Sequence, residues 1–236
     1  MDTSNGSKGN VFVDKFLTPV SVLLGLGLIA AVLYFGHGAA PAQQGQQQAG
    51  TADISKVKVE GEPFIGNANA PETLALYFDY QCPFCKQFEE QVTPQLMEKY
   101  VNTGKLKIVF KDFQFLGEDS DTGALFGRAV WEAYPDHYYE WLTAMFAAQD
   151  EEGDKGFGDL DSIKKMTTEK VPAIDVAKVE KLMTDKKAQY QAAIDADRTE
   201  GASMGINGTP SVIIGKKLFT ALTPAAFFSS ITAEIK

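Results

Sequence analysis

The sequence contains few side chains that bind transition metals: 2 cysteines and 2 histidines among 236 residues. A structural zinc site usually has four cysteine or histidine ligands. Cys82 and Cys85 are the only cysteines, and His37 and His137 lie far from them in the sequence. We therefore predict neither a metal site nor a bound cofactor.

A basic surface is also lacking, since 22 Lys and Arg face 31 Asp and Glu for a net charge of −9. Binding to nucleic acid needs clustered basic side chains, so we predict no nucleic-acid partner. The acidic groups Glu118–Asp119 with Asp121, and Asp150–Glu152 with Asp154, are interpreted as solvated loops. Calcium binding is the alternative, although the ligand spacing of an EF-hand is missing.

Charged residues are absent from Phe16–Phe35, a run of 20 mostly apolar residues. A helix of this length rises roughly 30 Å, the thickness of the hydrocarbon core of a bilayer. Lys8 and Lys15 precede the run and the next basic residue is Lys56, so the positive-inside rule places the N-terminus in the cytoplasm. We predict one N-terminal transmembrane helix that anchors an extracytoplasmic domain.

A cleavable signal peptide is the alternative, because the small residues of Ala40-Pro41-Ala42 suit cleavage near Ala42 and secretion. The apolar run exceeds the usual signal-peptide core of about 7–15 residues, which favours the anchor. The predicted organisation has four parts: a cytoplasmic terminus at 1–15, the anchor at 16–35, a linker rich in Gln, Gly and Ala at 36–52, and a folded domain at 53–236.

The most informative motif is Cys82-Pro83-Phe84-Cys85, directly after the apolar run 74–78. A helix that begins at Pro83 puts Cys82 at its N-cap, where unpaired backbone N–H groups stabilise a thiolate. This predicts a nucleophilic, redox-active cysteine. A structural disulfide is the alternative, but so short a loop constrains the unfolded chain little.

The residues around this motif predict a β-α-β unit. Thr73–Tyr80 and Leu106–Phe113 are typical of buried strands, and the helix between them has apolar residues at every fourth position. Pro94 predicts a kink in that helix. The order predicts parallel strands joined by a right-handed crossover. Val57–Val59 alternates and predicts a short edge strand.

From about 117 to 203 the pattern is helical, and strand patterns return at Ser211–Ile214 and Lys216–Thr220. They predict a hairpin, followed by a helix with Thr223 as N-cap and Pro224 at its first position. The fold class is therefore α/β, a thioredoxin-like fold with a helical insertion, preceded by the transmembrane helix. Aromatic side chains of the insertion are interpreted as core rather than as a peptide groove: Phe126, Trp131, Tyr134, Tyr138, Tyr139 and Trp141.

Several strings together resemble the DsbA-like thiol:disulfide oxidoreductases, in particular their membrane-anchored BdbD-type branch. They occur in the family's order and span about Gly66–Lys236: Phe78-Asp79-Tyr80-Gln81-Cys82-Pro83-Phe84-Cys85, Pro94-Gln95-Leu96, Lys111-Asp112-Phe113, residues 201–210 ending in Asn-Gly-Thr-Pro, and Leu222-Thr223-Pro224. The resemblance implies a DsbA-like domain for residues 53–236.

The resemblance also implies roles for individual residues. Cys82 is implied to be the exposed attacking cysteine and Cys85 the resolving cysteine, with Pro83 between them as a modulator. Pro210 matches the family's cis-proline, which lies against the active-site disulfide. The backbone of Thr209 is implied to pair with an extended substrate peptide.

Two positions depart from the family pattern. Phe84, a further modulator, replaces the histidine whose charge stabilises the thiolate in the best-known oxidase. We therefore expect the Cys82 pKa to depend mainly on the helix N-terminus and nearby N–H donors, and the protein to be less oxidising. Leu76 replaces a glutamate that moves protons at the resolving thiol in many relatives. Asp79 is nearby but is expected to point to the opposite side of the strand, and Lys111 and Asp112 stay open as substitutes.

The function implied is oxidation of cysteine pairs in reduced or unfolded exported proteins, because disulfides persist outside the cytosol. A quinone-linked membrane enzyme of the DsbB or vitamin-K-epoxide-reductase type is the implied reoxidising partner. A reductase or isomerase with the same residues is one alternative. A non-catalytic peptide-binding or chaperone module is another.

Overall fold

The computed structural model of the chain describes residues 48–150 and 156–236. The predicted terminus at 1–15, the predicted anchor at 16–35 and most of the predicted linker lie outside these ranges. Within them, no helix combines the length and the apolar character needed to cross a membrane. The anchor therefore stays a prediction.

A mixed sheet forms the centre of the described domain. Its strands are β1 (Gln48–Gly50), β2 (Phe64–Ile65), β3 (Glu72–Phe78), β4 (Leu106–Asp112), β5 (Ser211–Ile214) and β6 (Lys217–Thr220). They lie in the order β1-β6-β5-β3-β4-β2, with β3 and β4 parallel and the other neighbours antiparallel. The predicted β-α-β unit and hairpin are confirmed, and the C-terminal ends of β3 and β4 meet at one edge.

The helix that follows β3 is interrupted. α1 (Pro83–Gln91) is separated by Val92 from the short α2 (Thr93–Leu96), which continues into a π-helical turn at Met97–Val101. Pro94 lies in the first turn of α2, where its missing N–H and its ring prevent continuation of the α1 hydrogen-bond ladder. The predicted kink is therefore confirmed.

In the described chain, five helices form the insertion between β4 and β5. They are α3 (Glu118–Ala133), α4 (Tyr138–Ala148), α5 (Leu160–Lys170), α6 (Val176–Asp185) and α7 (Lys187–Ser203). α8 (Pro224–Glu234) follows the hairpin, and the Thr223 hydroxyl caps it by accepting a hydrogen bond from the Ala226 N–H at 3.3 Å. The thioredoxin-like fold with a helical insertion is confirmed.

The aromatic side chains of the insertion form its core. Phe126, Tyr138 and Trp141 are buried, and the Trp141 indole N–H donates to the Thr167 hydroxyl at 3.0 Å. The other three are partly buried against the same core: Trp131, Tyr134 and Tyr139. Burial of such large rings supplies much of the hydrophobic stabilisation of a helical layer, so the interpretation as core is confirmed.

The chain before β2 departs from the sequence prediction. The edge strand predicted at Val57–Val59 is wrong, because the Lys58 N–H donates to the Glu200 carboxylate at 2.7 Å instead of to a neighbouring strand. β1 lies within the predicted linker 36–52 and pairs with β6 through main-chain groups. The sequence Gln48-Ala49-Gly50 is too short and too polar to show apolar alternation, so periodicity gave no sign of this strand.

The acidic group at the start of the insertion is also placed differently. Glu118, Asp119 and Asp121 lie in the first turn of α3 rather than in a loop, and the helix N-terminus favours negative side chains there. Most of the second group, residues 151–155, lies outside the described ranges. Among the described residues, no cluster of three or more His, Cys, Asp or Glu side chains is arranged to hold a metal ion.

A group of charged side chains, which we term the charge cluster, lies largely buried between the sheet and the insertion. Its members are Glu62, Lys111, Asp112, Arg128, Asp197 and Glu200. The Lys111 amine lies 2.5 Å from the Asp197 carboxylate. The Arg128 guanidinium lies 2.6 Å from Glu62, 2.6 Å from Asp112 and 2.5 Å from Asp197. The cluster thereby connects the segment before β2 with β4, α3 and α7.

Candidate active site

Cys82 is the N-cap residue of α1, and Pro83 occupies the first turn of that helix. The backbone N–H groups of Phe84 and Cys85, at the second and third helical positions, face the Cys82 sulfur. These are the donors that an N-cap side chain meets at a helix start. The predicted N-cap position is confirmed, and both cysteines are free thiols in the structure.

The pKa of the Cys82 thiol is lowered to about 6. The largest cause is the hydrogen bond from the Cys85 thiol, which outweighs the opposing effect of burial. The Thr209 hydroxyl and the N–H groups of Cys85 and Phe84 lower the pKa further. The sequence predicted that the helix N-terminus is the main cause of a lowered Cys82 pKa. In the structure the hydrogen bond from the Cys85 thiol is the larger cause.

Cys85 has the opposite electronic character. It lies within the hydrophobic core and is 3% exposed. Burial, the hydrogen bond with Cys82 and the negative charge on Cys82 raise the pKa of Cys85 well above its usual value. Near neutral pH the pair therefore consists of a thiolate at Cys82 and a protonated thiol at Cys85.

Cys82 itself is only 3% exposed, so the expectation of an exposed attacking cysteine is wrong. The Thr209 carbonyl oxygen lies 3.5 Å from its sulfur. Thr209 is 127 positions away along the chain, so a local pattern gives no sign of this cover. Phe84, in contrast, is 63% exposed beside the cysteine.

An apolar groove begins next to the cysteine pair. The Thr209–Pro210 peptide bond is cis, as the resemblance implied, and it directly precedes β5. Together with Phe84, Leu222 and Pro224, this turn lines a groove of 440 Å³. A polypeptide bound in the groove lies alongside both the Thr209 main chain and the N-terminus of α1.

The position below the cysteines that carries glutamate in many relatives is apolar here. Leu76 of β3 lies opposite Phe110 of β4 and Val212 of β5, and all three are buried. Lys111 and Asp112 do not replace that glutamate, because both are held in the charge cluster. Leu76 belongs with Cys85 to the same hydrophobic core, so this position supplies no acid to the resolving thiol.

α1 also carries a buried carboxyl group that the sequence did not predict and that bonds to α4 rather than to the cysteines. Glu89 lies four residues after Cys85 on the same buried face of the helix. Its carboxylate accepts a hydrogen bond from the Thr143 hydroxyl at 3.2 Å, and burial raises its pKa to about 6. Tyr139 also bonds to it, so Glu89 connects α1 to α4. The four-residue spacing from Cys85 was the available signal.

The lowered pKa of Cys82 predicts an unusual pH dependence of alkylation. In the dithiol protein, the rate of reaction with iodoacetamide should rise with a midpoint near pH 6, because only the thiolate reacts. In Cys85→Ala the midpoint should move toward about 8.5, because the main hydrogen-bond donor is lost. A wild-type midpoint above pH 8 would contradict this assignment.

Comparison with known proteins places the domain in a family. A family model described as thioredoxin matches residues 58–233. The probable disulfide bond formation protein D of Bacillus cereus is 28% identical over 154 residues, which cover 65% of this chain and 70% of that protein. The disulfide bond formation protein D of Bacillus subtilis is 26% identical over 174 residues, which cover 73% and 76%.

Solved structures share the fold of the domain. Oxidised BdbD from Bacillus subtilis has a TM-score of 0.66 at 22% identity, and the match covers 75% of this chain and 92% of that one. The thiol-disulfide exchange protein alpha-DsbA2 from Wolbachia pipientis has a TM-score of 0.63 at 24% identity, with coverages of 76% and 90%. The family model covers most of the described domain, and the chain therefore belongs to the thioredoxin family, with disulfide bond formation protein D among its relatives.

Proposed function

We propose that this protein oxidises pairs of cysteine thiols in exported proteins through a disulfide between Cys82 and Cys85. Its relatives make it a thiol:disulfide oxidoreductase, and the direction of electron flow and the substrate class are what the proposal adds. The observation that carries it is the position of Cys82, a free thiol of lowered pKa at the start of α1, beside the cis Thr209–Pro210 turn.

The reaction consists of two exchanges. A substrate thiolate attacks the Cys82 sulfur of the enzyme disulfide, forms a mixed disulfide and expels Cys85 as a thiolate, which takes up a proton. A second substrate thiolate then attacks the substrate sulfur of the mixed disulfide and expels Cys82 as a thiolate. The substrate loses two electrons and two thiol protons, of which one remains on Cys85 and one passes to solvent.

The pKa values support oxidation of the substrate. A lowered Cys82 pKa stabilises the reduced form of the pair, and a stabilised reduced form makes the disulfide a stronger oxidant. At about 6, this pKa lies between about 7 for thioredoxin, a reductant, and about 3.5 for the strong oxidase of the DsbA type. We therefore expect the protein to be a moderate oxidant.

The reduction potential tests this proposal. We expect about −220 mV, between about −270 mV for thioredoxin and about −120 mV for the strong oxidase. Equilibration with glutathione buffers of known ratio, followed by alkylation and mass measurement of the pair, gives the value. A potential at or below that of thioredoxin would contradict oxidation and favour a reductase.

The groove beside the pair supports an unfolded polypeptide as substrate. Its walls include Phe84, Leu222 and Pro224, so it accepts the apolar side chains that an unfolded chain exposes. The main chain of Thr209 would pair with an extended segment of substrate, and the groove would take its side chains.

The proposed location is the outer face of a cell membrane, with residues 16–35 as a single anchor and the N-terminus in the cytoplasm. Secretion after cleavage near Ala42 is the alternative. The reduced pair would be reoxidised by a quinone-linked membrane enzyme of the DsbB or vitamin-K-epoxide-reductase type. The proposed location and the substrate class are tested together when Cys85→Ala is expressed as the full chain, because the identities of the trapped proteins report both.

A further inference from the structure

Asp79 is a fully buried carboxylate located between β3 and Cys82. One of its oxygens accepts hydrogen bonds from the Ser120 hydroxyl at 2.6 Å and from the Gln81 N–H at 2.8 Å. The other accepts from the N–H groups of Phe115 at 2.9 Å and Leu116 at 3.2 Å. The carboxylate therefore ties the active-site turn to the loop after β4 and to the start of α3.

The charge of this group needs an explanation. None of the ion pairs in the described part of the chain includes Asp79, so four neutral donors stabilise the carboxylate. Burying an unpaired charge is costly, and a neutral Ser or Asn side chain suffices for an ordinary turn. Because both oxygens are occupied as acceptors, Asp79 is also a poor proton carrier for Cys85.

The main chain of Asp79 contacts both cysteines. Its carbonyl oxygen accepts a hydrogen bond from the Cys82 N–H at 3.2 Å. Its N–H faces the Cys85 sulfur and acts, with the Thr209 hydroxyl, to lower the pKa of Cys85 against the larger effect of burial. The side chain of Asp79 therefore fixes the two peptide groups on either side of its α-carbon, one of which contacts the attacking cysteine and the other the resolving cysteine.

We propose that Asp79 is a positioning residue of the exchange reaction: its carboxylate holds residues 79–82 against Phe115 and Leu116, so that its own N–H stabilises the Cys85 thiolate as this leaves the disulfide. The inference rests on the proposed exchange reaction of Cys82 and Cys85.

The apolar surroundings of Cys85 make this N–H important. Leu76 and Phe110 offer no hydrogen bond to a sulfur anion, and burial disfavours the anion. A hydrogen bond to a charged group contributes more than one between neutral groups. Displacement of the Asp79 N–H should therefore slow the step in which Cys85 departs, and leave the reactivity of a free Cys82 thiolate nearly unchanged.

The test compares Asp79→Asn with Glu89→Gln, which also converts a buried carboxyl group to an amide but lies at the other end of α1. We expect Asp79→Asn to slow mixed-disulfide formation between the oxidised protein and a reduced model peptide about tenfold, while iodoacetamide alkylation of the reduced Cys82 changes less than about twofold. Glu89→Gln should change both rates less than about twofold.

The outcomes separate positioning from stability. The inference is overturned if a folded Asp79→Asn forms the mixed disulfide at the wild-type rate. It is also overturned if Glu89→Gln slows mixed-disulfide formation as much as Asp79→Asn does, or if Asp79→Asn slows mixed-disulfide formation and alkylation equally. If Asp79→Asn does not fold, Ser120→Ala, which removes one of the four donors, should slow exchange about two- to threefold with alkylation unchanged; an unchanged exchange rate then overturns the inference. Absence of exchange in the wild-type protein would instead contradict the proposed function.

Discussion

Replacement of Cys85 by alanine should turn the protein from a catalyst into a trap for its substrates. Without the resolving thiol, Cys82 cannot close the internal disulfide. An external oxidant, such as a small-molecule disulfide, takes up the two electrons and two protons released when Cys82 joins a substrate thiol, and no second enzyme thiol then competes to release the substrate. We expect Cys85→Ala, expressed as the full chain under oxidising conditions, to accumulate mixed disulfides with exported proteins in the membrane fraction, at least tenfold above the wild-type level. Non-reducing gels and mass spectrometry of the bands measure this.

Cys82→Ser is the matched control for the trap. It removes the only thiol with a lowered pKa, so it should abolish both trapping and turnover of a dithiol peptide. Preservation of the protein's effect on its substrates in Cys82→Ser would instead favour a non-catalytic chaperone. Trapping of cytosolic proteins alone by Cys85→Ala would contradict the extracytoplasmic location.

The features of the site that depend on short stretches of sequence were predictable. The placement of Cys82 at a helix N-cap follows from Pro83 and the preceding apolar strand, because helix starts are encoded locally. The resemblance brought Thr209 and Pro210 to the cysteine pair, but it did not predict that Cys82 is buried, with the Thr209 carbonyl oxygen 3.5 Å from its sulfur. The main cause of the lowered Cys82 pKa was missed for a similar reason. Cys85 keeps its proton because it is buried, so it can donate a hydrogen bond to Cys82 only once the core has formed.

The fold shows the same division between local and distant contacts. Periodicity predicted β3, β4 and the helical insertion, whereas the charge cluster joins residues separated by up to 138 positions, Glu62 and Glu200, around Lys111 and Arg128. The only sequence feature that indicated the charge cluster was a basic residue in an otherwise apolar segment, Lys111 in β4 and Arg128 in α3. Asp79 was likewise visible as an acid near the motif, but its partners are mostly backbone N–H groups, which every sequence contains.

Arg128→Met should produce a large loss of stability although it lies outside the cysteine pair. Methionine approximates the volume of the side chain but leaves Glu62, Asp112 and Asp197 without the guanidinium that binds all three. Removal of one partner from a buried ion-pair network costs about 3–5 kcal/mol in the free energy of unfolding. Urea denaturation of the reduced protein, followed by far-ultraviolet circular dichroism, measures the difference.

Lys181→Met is the control, since it breaks an exposed pair with Asp185 and should cost at most about 1 kcal/mol in the free energy of unfolding.

The loss of stability in Arg128→Met should also depend on pH, which a loss caused by packing alone would not. Burial already raises the pKa values of Asp112 and Asp197, and loss of Arg128 removes an interaction that lowers both. The folded variant then binds protons more tightly than its unfolded chain, so its stability falls as pH rises and recovers as pH falls. A deficit that is equal at pH 5 and pH 7, or smaller than about 1 kcal/mol at pH 7, would show that the cluster does not depend on this guanidinium.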